Sequence, residues 1–151
     1  MRVHFALAGI DQLGLLQQLF GHIGILETVR DECFAKPGCD AERIEVAIAE
    51  GWLIVETWPK ASSALLPSLG IGESDSIRLA MEKPDNSLLI LDDRLARRYA
   101  LKQGLHIIGT VQLLDLAEQH GLIASAEESI QKMAEFGYRI SIELLRKLRS
   151  G

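Results

Sequence analysis

Short apolar runs alternate along this chain with stretches whose apolar residues recur every three or four positions. The runs are Ile23 to Leu26, Leu53-Ile54-Val55, Leu88-Leu89-Ile90-Leu91 and His106-Ile107-Ile108. Leu53-Ile54-Val55, two of its three residues β-branched, reads as a strand buried on both faces, and the other runs read as buried strands. We expect strands near 23–26, 52–56, 88–91 and 105–109, with 88–91 the strongest. Val3, Phe5 and Leu7 also alternate like a short strand, but they precede a helical pattern and leave the opening ambiguous.

The periodic stretches read as helices with recognisable ends. Leu13, Leu15, Leu16, Leu19 and Phe20 give one apolar face near 9–20, stopped by Gly21. Thr28 caps a helix through Phe34, ended by Pro37-Gly38. Asp40 caps the next, with Ile44, Ala47 and Ile48 facing the core. Residues 57–71 are the least regular, and Gly72 introduces a helix to about Glu82. Asp92-Asp93 ends the strongest strand and opens a helix to Gln103, broken by Gly104. Thr110 caps a helix to His120. Ser125-Ala126-Glu127-Glu128 has capping-box spacing, and Ser141 caps a last helix ending near Leu148. Strands alternating with amphipathic helices imply an α/β fold, a parallel sheet flanked by helices.

Composition adds limits. The chain has 151 residues, which suits a single domain over 1–151. Sixteen Lys and Arg against twenty-one Asp and Glu give a net charge of −5, which excludes a strongly basic coat but not a local basic patch. No apolar run approaches the ~20 residues of a membrane helix. No basic segment leads an apolar core at the N-terminus, so we expect a cytoplasmic protein with no membrane partner. Cys33 and Cys39 lack the spacing of a zinc knuckle and are expected to be reduced, structural thiols.

In open parallel sheets ligands bind beyond the carboxyl ends of the strands. Asp92 and Asp93 directly follow a strand, Glu73 opens a helix, and Glu32 lies on an early helix. Each has an ordinary structural role available. Asp93 suits a helix N-cap, Glu73 suits the positive end of a helix dipole, and Asp31 and Glu32 suit a solvated helix face. Brought together they demand charge relief, since two carboxylates ~4 Å apart repel by about 4 kcal/mol at an effective dielectric of 20. Oxygen-only ligands then favour Mg²⁺ or Mn²⁺. There is no G-x-S-x-G elbow and no P-loop, and His4, His22, His106 and His120 show no paired ligand spacing. Arg94, Arg97, Arg98 and Lys102 form a basic stretch just after Asp92. Arg94 sits in a first turn, where a cation is unfavourable, so phosphate binding and an internal ion pair are both open readings.

Gly72-Glu73-Ser74-Asp75-Ser76-Ile77, Leu88 to Arg97, Ile108-Gly109-Thr110 and His120-Gly121-Leu122-Ile123 together resemble the PIN-domain superfamily. The likeness is to a bacterial and archaeal branch related to VapC-type toxin ribonucleases. Leu13 to Gly21, Val29 to Glu32 and Phe136 to Ser141 extend it over most of the chain. The resemblance implies a PIN-like fold and a metal-dependent endoribonuclease. Glu32, Glu73 and Asp92 would hold Mg²⁺ or Mn²⁺, with Asp75 as a neighbour and Arg94 and Arg97 on the substrate phosphates. RNA, an antitoxin-like protein and a second copy in a homodimer are the implied partners.

One feature departs from the family. Its first strand ends in Asp-x-Ser, and here Met1-Arg2-Val3-His4 stands where the following Ser-Pro pair would be. We therefore expect the usual first strand to be missing or altered, through an upstream start or a weakened site. Asp11 lies in the next helix and is no substitute. A missing central strand would leave an unpaired edge, to be covered by a dimer partner or a displaced N-terminal segment. The alternative function is a non-catalytic PIN-like module binding a partner protein or RNA. A receiver-like phosphorylation domain fits less well, because its acidic pair follows the first strand.

Overall fold

The computed structural model describes residues 2–5, 13–35, 41–59, 63–135 and 142–150. Contacts divide the chain into two compact units, Met1–Ile108 and Gly109–Gly151. The first unit holds a five-stranded parallel sheet made by β1 (Arg2–Phe5), β2 (Ile23–Leu26), β3 (Leu53–Glu56), β4 (Ser87–Ile90) and β5 (His106–Ile108). The strand order is β3-β2-β1-β4-β5, and every pairing is parallel. Between the strands run α1 (Leu13–Phe20), α2 (Glu27–Ala35), α3 (Ala41–Glu50), α4 (Ile71–Glu82) and α5 (Arg94–Lys102). The second unit is helical, with α6 (Thr110–Gln119), α7 (Ala126–Glu135) and α8 (Ile142–Ser150). This is an α/β, PIN-like fold with eight α-helices among the described residues.

The central strand is present. Arg2–Phe5 lies between β2 and β4, with His4 opposite both Gly24 and Leu89. The expected gap is thus filled by the alternating Val3/Phe5 segment, and β1 leaves no open central edge for a partner to cover. His4 is 3% exposed, and its Nε2 lies 2.7 Å from Glu56 Oε2 on β3. The imidazole passes over Gly24 of the intervening strand. A Cβ at Gly24 would stand 2.8 Å from His4 Cδ2, so this close approach requires glycine.

Position in the sheet corrects two readings. Leu53-Ile54-Val55 and His106-Ile107-Ile108 are edge strands, not strands covered on both sides. Ile54 is 47% exposed, and His106 is exposed. A short apolar run looks the same at an edge as in the centre. In β4 and just beyond it, Leu89, Ile90 and Leu91 are fully buried, whereas Leu88 is half-buried. Leu89 and Leu91 join Leu69, Ile77, Ala80, Ala96, Ala100 and Leu105 in one apolar cluster beneath α4 and α5.

Helix ends follow local chemistry with small shifts. Asp93 Oδ2 accepts the Ala96 N–H at 2.9 Å, the expected cap of α5. Ser125 Oγ accepts the Glu128 N–H at 3.2 Å at the start of α7. Gly104 takes φ +77°, ending the segment after α5. Two caps are displaced: α2 begins at Glu27, which puts Thr28 inside its first turn, and Gly109, not Thr110, is the N-cap of α6. The expected caps Asp40 and Ser141 lie outside the described residues, as do Leu7, Asp11 and Cys39. Cys33 is buried and disulfide-bonded, which corrects the expectation of a reduced thiol.

In the second unit an ion cluster ties α8 to α6. Arg149 Nε donates to Asp115 Oδ1 at 2.9 Å, and Arg149 Nη2 donates to Glu118 Oε2 at 2.8 Å. Glu118 Oε1 also accepts the Ala126 N–H at 2.9 Å. That backbone donor, and then the Arg149 guanidinium, hold the Glu118 carboxyl below the usual carboxylate range. Its stabilising effect is complete above that range and is lost as pH falls through the lowered value. Hydrogen-exchange protection in α8, corrected for intrinsic rates, should therefore decline on acidification below the ordinary carboxylate range. Glu118→Gln should remove most of that acid dependence; unaltered pH dependence in the variant would show that the cluster does not hold α8.

Candidate active site

The carboxyl edge of the sheet gathers the candidate acids by topology. Parallel strands end together, so a helix that follows one of them starts at that edge. Asp92 stands two residues beyond the end of β4, and Asp93 then caps α5. Glu32 lies in the second turn of α2, just after β2. Glu73 lies in the first turn of α4, which runs back from that edge to the start of β4.

One pair is in direct register. Glu32 Oε1 accepts the Gly72 N–H at 3.0 Å, forty residues along the chain. Gly70, the N-cap of α4, supplies no side-chain cap. The Glu32 carboxylate therefore caps α4 from a neighbouring helix, engaging an amide that would otherwise lack an intrahelical partner. Glu73 follows immediately. Both acids sit at the positive end of the α4 dipole, which relieves part of their charge.

Gly72 makes this approach feasible. A Cβ there would stand 2.8 Å from Glu32 Oε2 and 2.9 Å from Val29 Cγ2. Gly72→Ala should push α2 and α4 apart and break the Glu32 cap, costing about 1–3 kcal/mol. A urea midpoint indistinguishable from the parent protein would refute that tight contact.

The other candidate residues divide by role. Asp75 is 3% exposed and accepts a 2.9 Å hydrogen bond from Arg78 Nη1. Arg78 Nη2 also donates to the Ser63 carbonyl, and Ser74 Oγ accepts the Leu65 N–H. Asp75, Arg78 and Ser74 thus pin the irregular segment before α4. Asp92 is exposed, and Glu73 is half-buried. Arg94 is exposed, whereas Arg97 turns inward and donates from Nη1 to the Leu91 carbonyl at 3.2 Å.

Glu32, Glu73 and Asp92 offer the oxygen donors a hard divalent cation takes. Among the described residues no three His, Cys, Asp or Glu side chains are already drawn together to hold a metal ion. The donor chemistry fits; a closed ligand set would require side chains to turn inward from their present partners. A cleft of about 590 Å³ lined by Leu13, Gln17, Glu42, Val46 and Trp52 includes none of the three acids. No helix among the described residues is long and apolar enough to cross a membrane.

Sequence reasoning missed the His4–Glu56 pair and the Glu32–Gly72 bond. The signals were a glycine inside an apolar strand and a glycine one residue before the helix-opening Glu73.

The five-stranded parallel sheet flanked by helices sets the class as an α/β, PIN-like fold. The chain belongs to the PIN-domain superfamily: residues 4–150 match the family DUF3368, a PIN domain. Among solved structures it resembles a PilT N-terminus domain protein from the hyperthermophilic archaeon Sulfolobus solfataricus P2. The TM-score is 0.54 at 24% identity, covering 78% of this chain and 93% of that one. That likeness supports the fold. No curated protein matches the chain.

Proposed function

We propose that this protein is a metal-dependent endoribonuclease of the PIN type. The observation that carries the reading is the Glu32 carboxylate held at the N-terminus of α4 beside Glu73, at the carboxyl edge of the sheet where Asp92 follows β4. Glu32, Glu73 and Asp92 would hold Mg²⁺ or Mn²⁺. When bound, such an ion activates a water and offsets charge on the scissile phosphate. The chain's own part is positioning. The Gly72 N–H fixes one Glu32 oxygen, Asp93 anchors the start of α5, and Arg94 stands exposed for a phosphate oxygen.

RNA incubated with the purified chain should be cut in Mn²⁺ or Mg²⁺ and spared in EDTA. Intact RNA at millimolar Mn²⁺ would overturn the reading. A toxin role would add an antitoxin-like inhibitor, and co-purification of a small partner that suppresses cleavage would support it. A homodimer belongs to the same proposal, and light scattering checks it.

One observation favours a second reading, a non-catalytic module that binds RNA or a protein. Glu32 is already engaged as a helix cap, a role that needs no metal. In that case the fold should bind a partner with no divalent requirement and show no cleavage.

A further inference from the structure

α5 sorts its cations by face. Arg97 is turned inward to the Leu91 carbonyl, beside buried Ala96 and Ala100. Arg94, Arg98 and Lys102 recur every fourth residue on the opposite side, and all three are exposed. They form one slanted row in which about 6 Å of rise and about 40° of turn separate successive members. Among the described residues none of the three enters an ion pair. Asp93, immediately before Arg94 in the chain, is engaged by the Ala96 N–H. Like charges four residues apart repel, and Arg94 also opposes the helix dipole. The row is thus an uncompensated line of charge in a chain whose net charge is −5.

We propose that Arg94, Arg98 and Lys102 form a track for one nucleic-acid strand, holding three consecutive phosphates on the approach to Asp92. This deepens the nuclease reading and rests on it for the identity of the substrate. The axial step of the row is comparable with the separation of phosphates along an extended strand. α5 starts at the acidic edge and runs away from it, so the track leads from Asp92 across the surface. Leu95 and Leu101 flank the row and are 45% and 58% exposed. They offer apolar surface to sugars and unpaired bases, which a duplex turns inward. A protein partner fits less well, because interface centres are depleted in charge and here the centre of the strip is charged.

The test is salt-dependent binding of a fluorescein-labelled single-stranded oligouridylate to the full chain in EDTA. Arg98→Ala and Lys102→Ala should each lower the slope of log K against log salt by about 0.7, the single-strand value per phosphate contact. The double variant should lower it by about twice that. Lys132→Ala, an exposed cation on α7, should leave the slope unchanged. Circular dichroism melts confirm that the exposed substitutions leave the fold intact. No binding by the parent protein, an unchanged slope in both α5 variants, or equal affinity for a duplex would overturn the track. So would preferential capture of an acidic helical peptide. Binding in EDTA is independent of cleavage, so the two readings fail separately. An unchanged slope with Mn²⁺-dependent cutting retained removes only the track. A reduced slope with no cutting removes only the nuclease.

Discussion

Asp92→Asn should lower Mn²⁺-dependent RNA cleavage by at least about 100-fold, beyond what changes around a metal's ligands usually cost. The substitution keeps the shape of the side chain and removes its charge. Asp92 is exposed beyond the end of β4, and Asp93 still caps α5 in the variant. Asp92 also has a surface interaction of its own, so stability should move by no more than about 1 kcal/mol. That separation makes the result informative, since lost activity with an unchanged melt places Asp92 in the chemistry. Metal-dependent cutting retained within a few-fold would remove Asp92 from the site.

Leu89→Ala should have the largest effect on stability, about 2–5 kcal/mol. Leu89 is fully buried on the face of β4 that meets α4 and α5. β4 lies between β1 and β5, so the strand has no open side along which to relax. Domains of this size hold only about 5–15 kcal/mol in total, so the variant should approach marginal stability. Ile54→Ala on edge strand β3 removes a comparable amount of side chain at a site 47% exposed and should cost less than half as much. Urea midpoints of the two variants compare them directly. Equal losses would mean that the strand order has been assigned incorrectly.

What the chain discloses before folding is mostly local. The apolar runs at 23–26, 53–56 and 106–108 became strands because nearby residues settle local conformation. Asp93 and Ser125 read as caps for the same reason: donor and acceptor lie three residues apart. Centre and edge were not readable, since the open sides of β3 and β5 depend on the order in which strands pair. The acids were named as candidates, but the role of Glu32 as a cap was hidden across forty residues. The α5 row was present as periodicity. Arg97 lies next to Ala96 and three residues before Ala100, both buried, while Arg94, Arg98 and Lys102 share the other side.

The place of Arg2–Phe5 has a consequence for synthesis and for truncation. These residues are made well before most of the sheet. One of their two strand neighbours, β4, is made roughly eighty residues later. Until then this strand waits with one side unpaired, and pairings this distant in sequence slow folding. A truncation past Phe5 would not trim an end. It would cut the sheet through its middle, leaving β3-β2 and β4-β5 as separate ribbons of two strands. Two-stranded ribbons are marginal in water, so the product should be an aggregating fragment rather than a smaller domain.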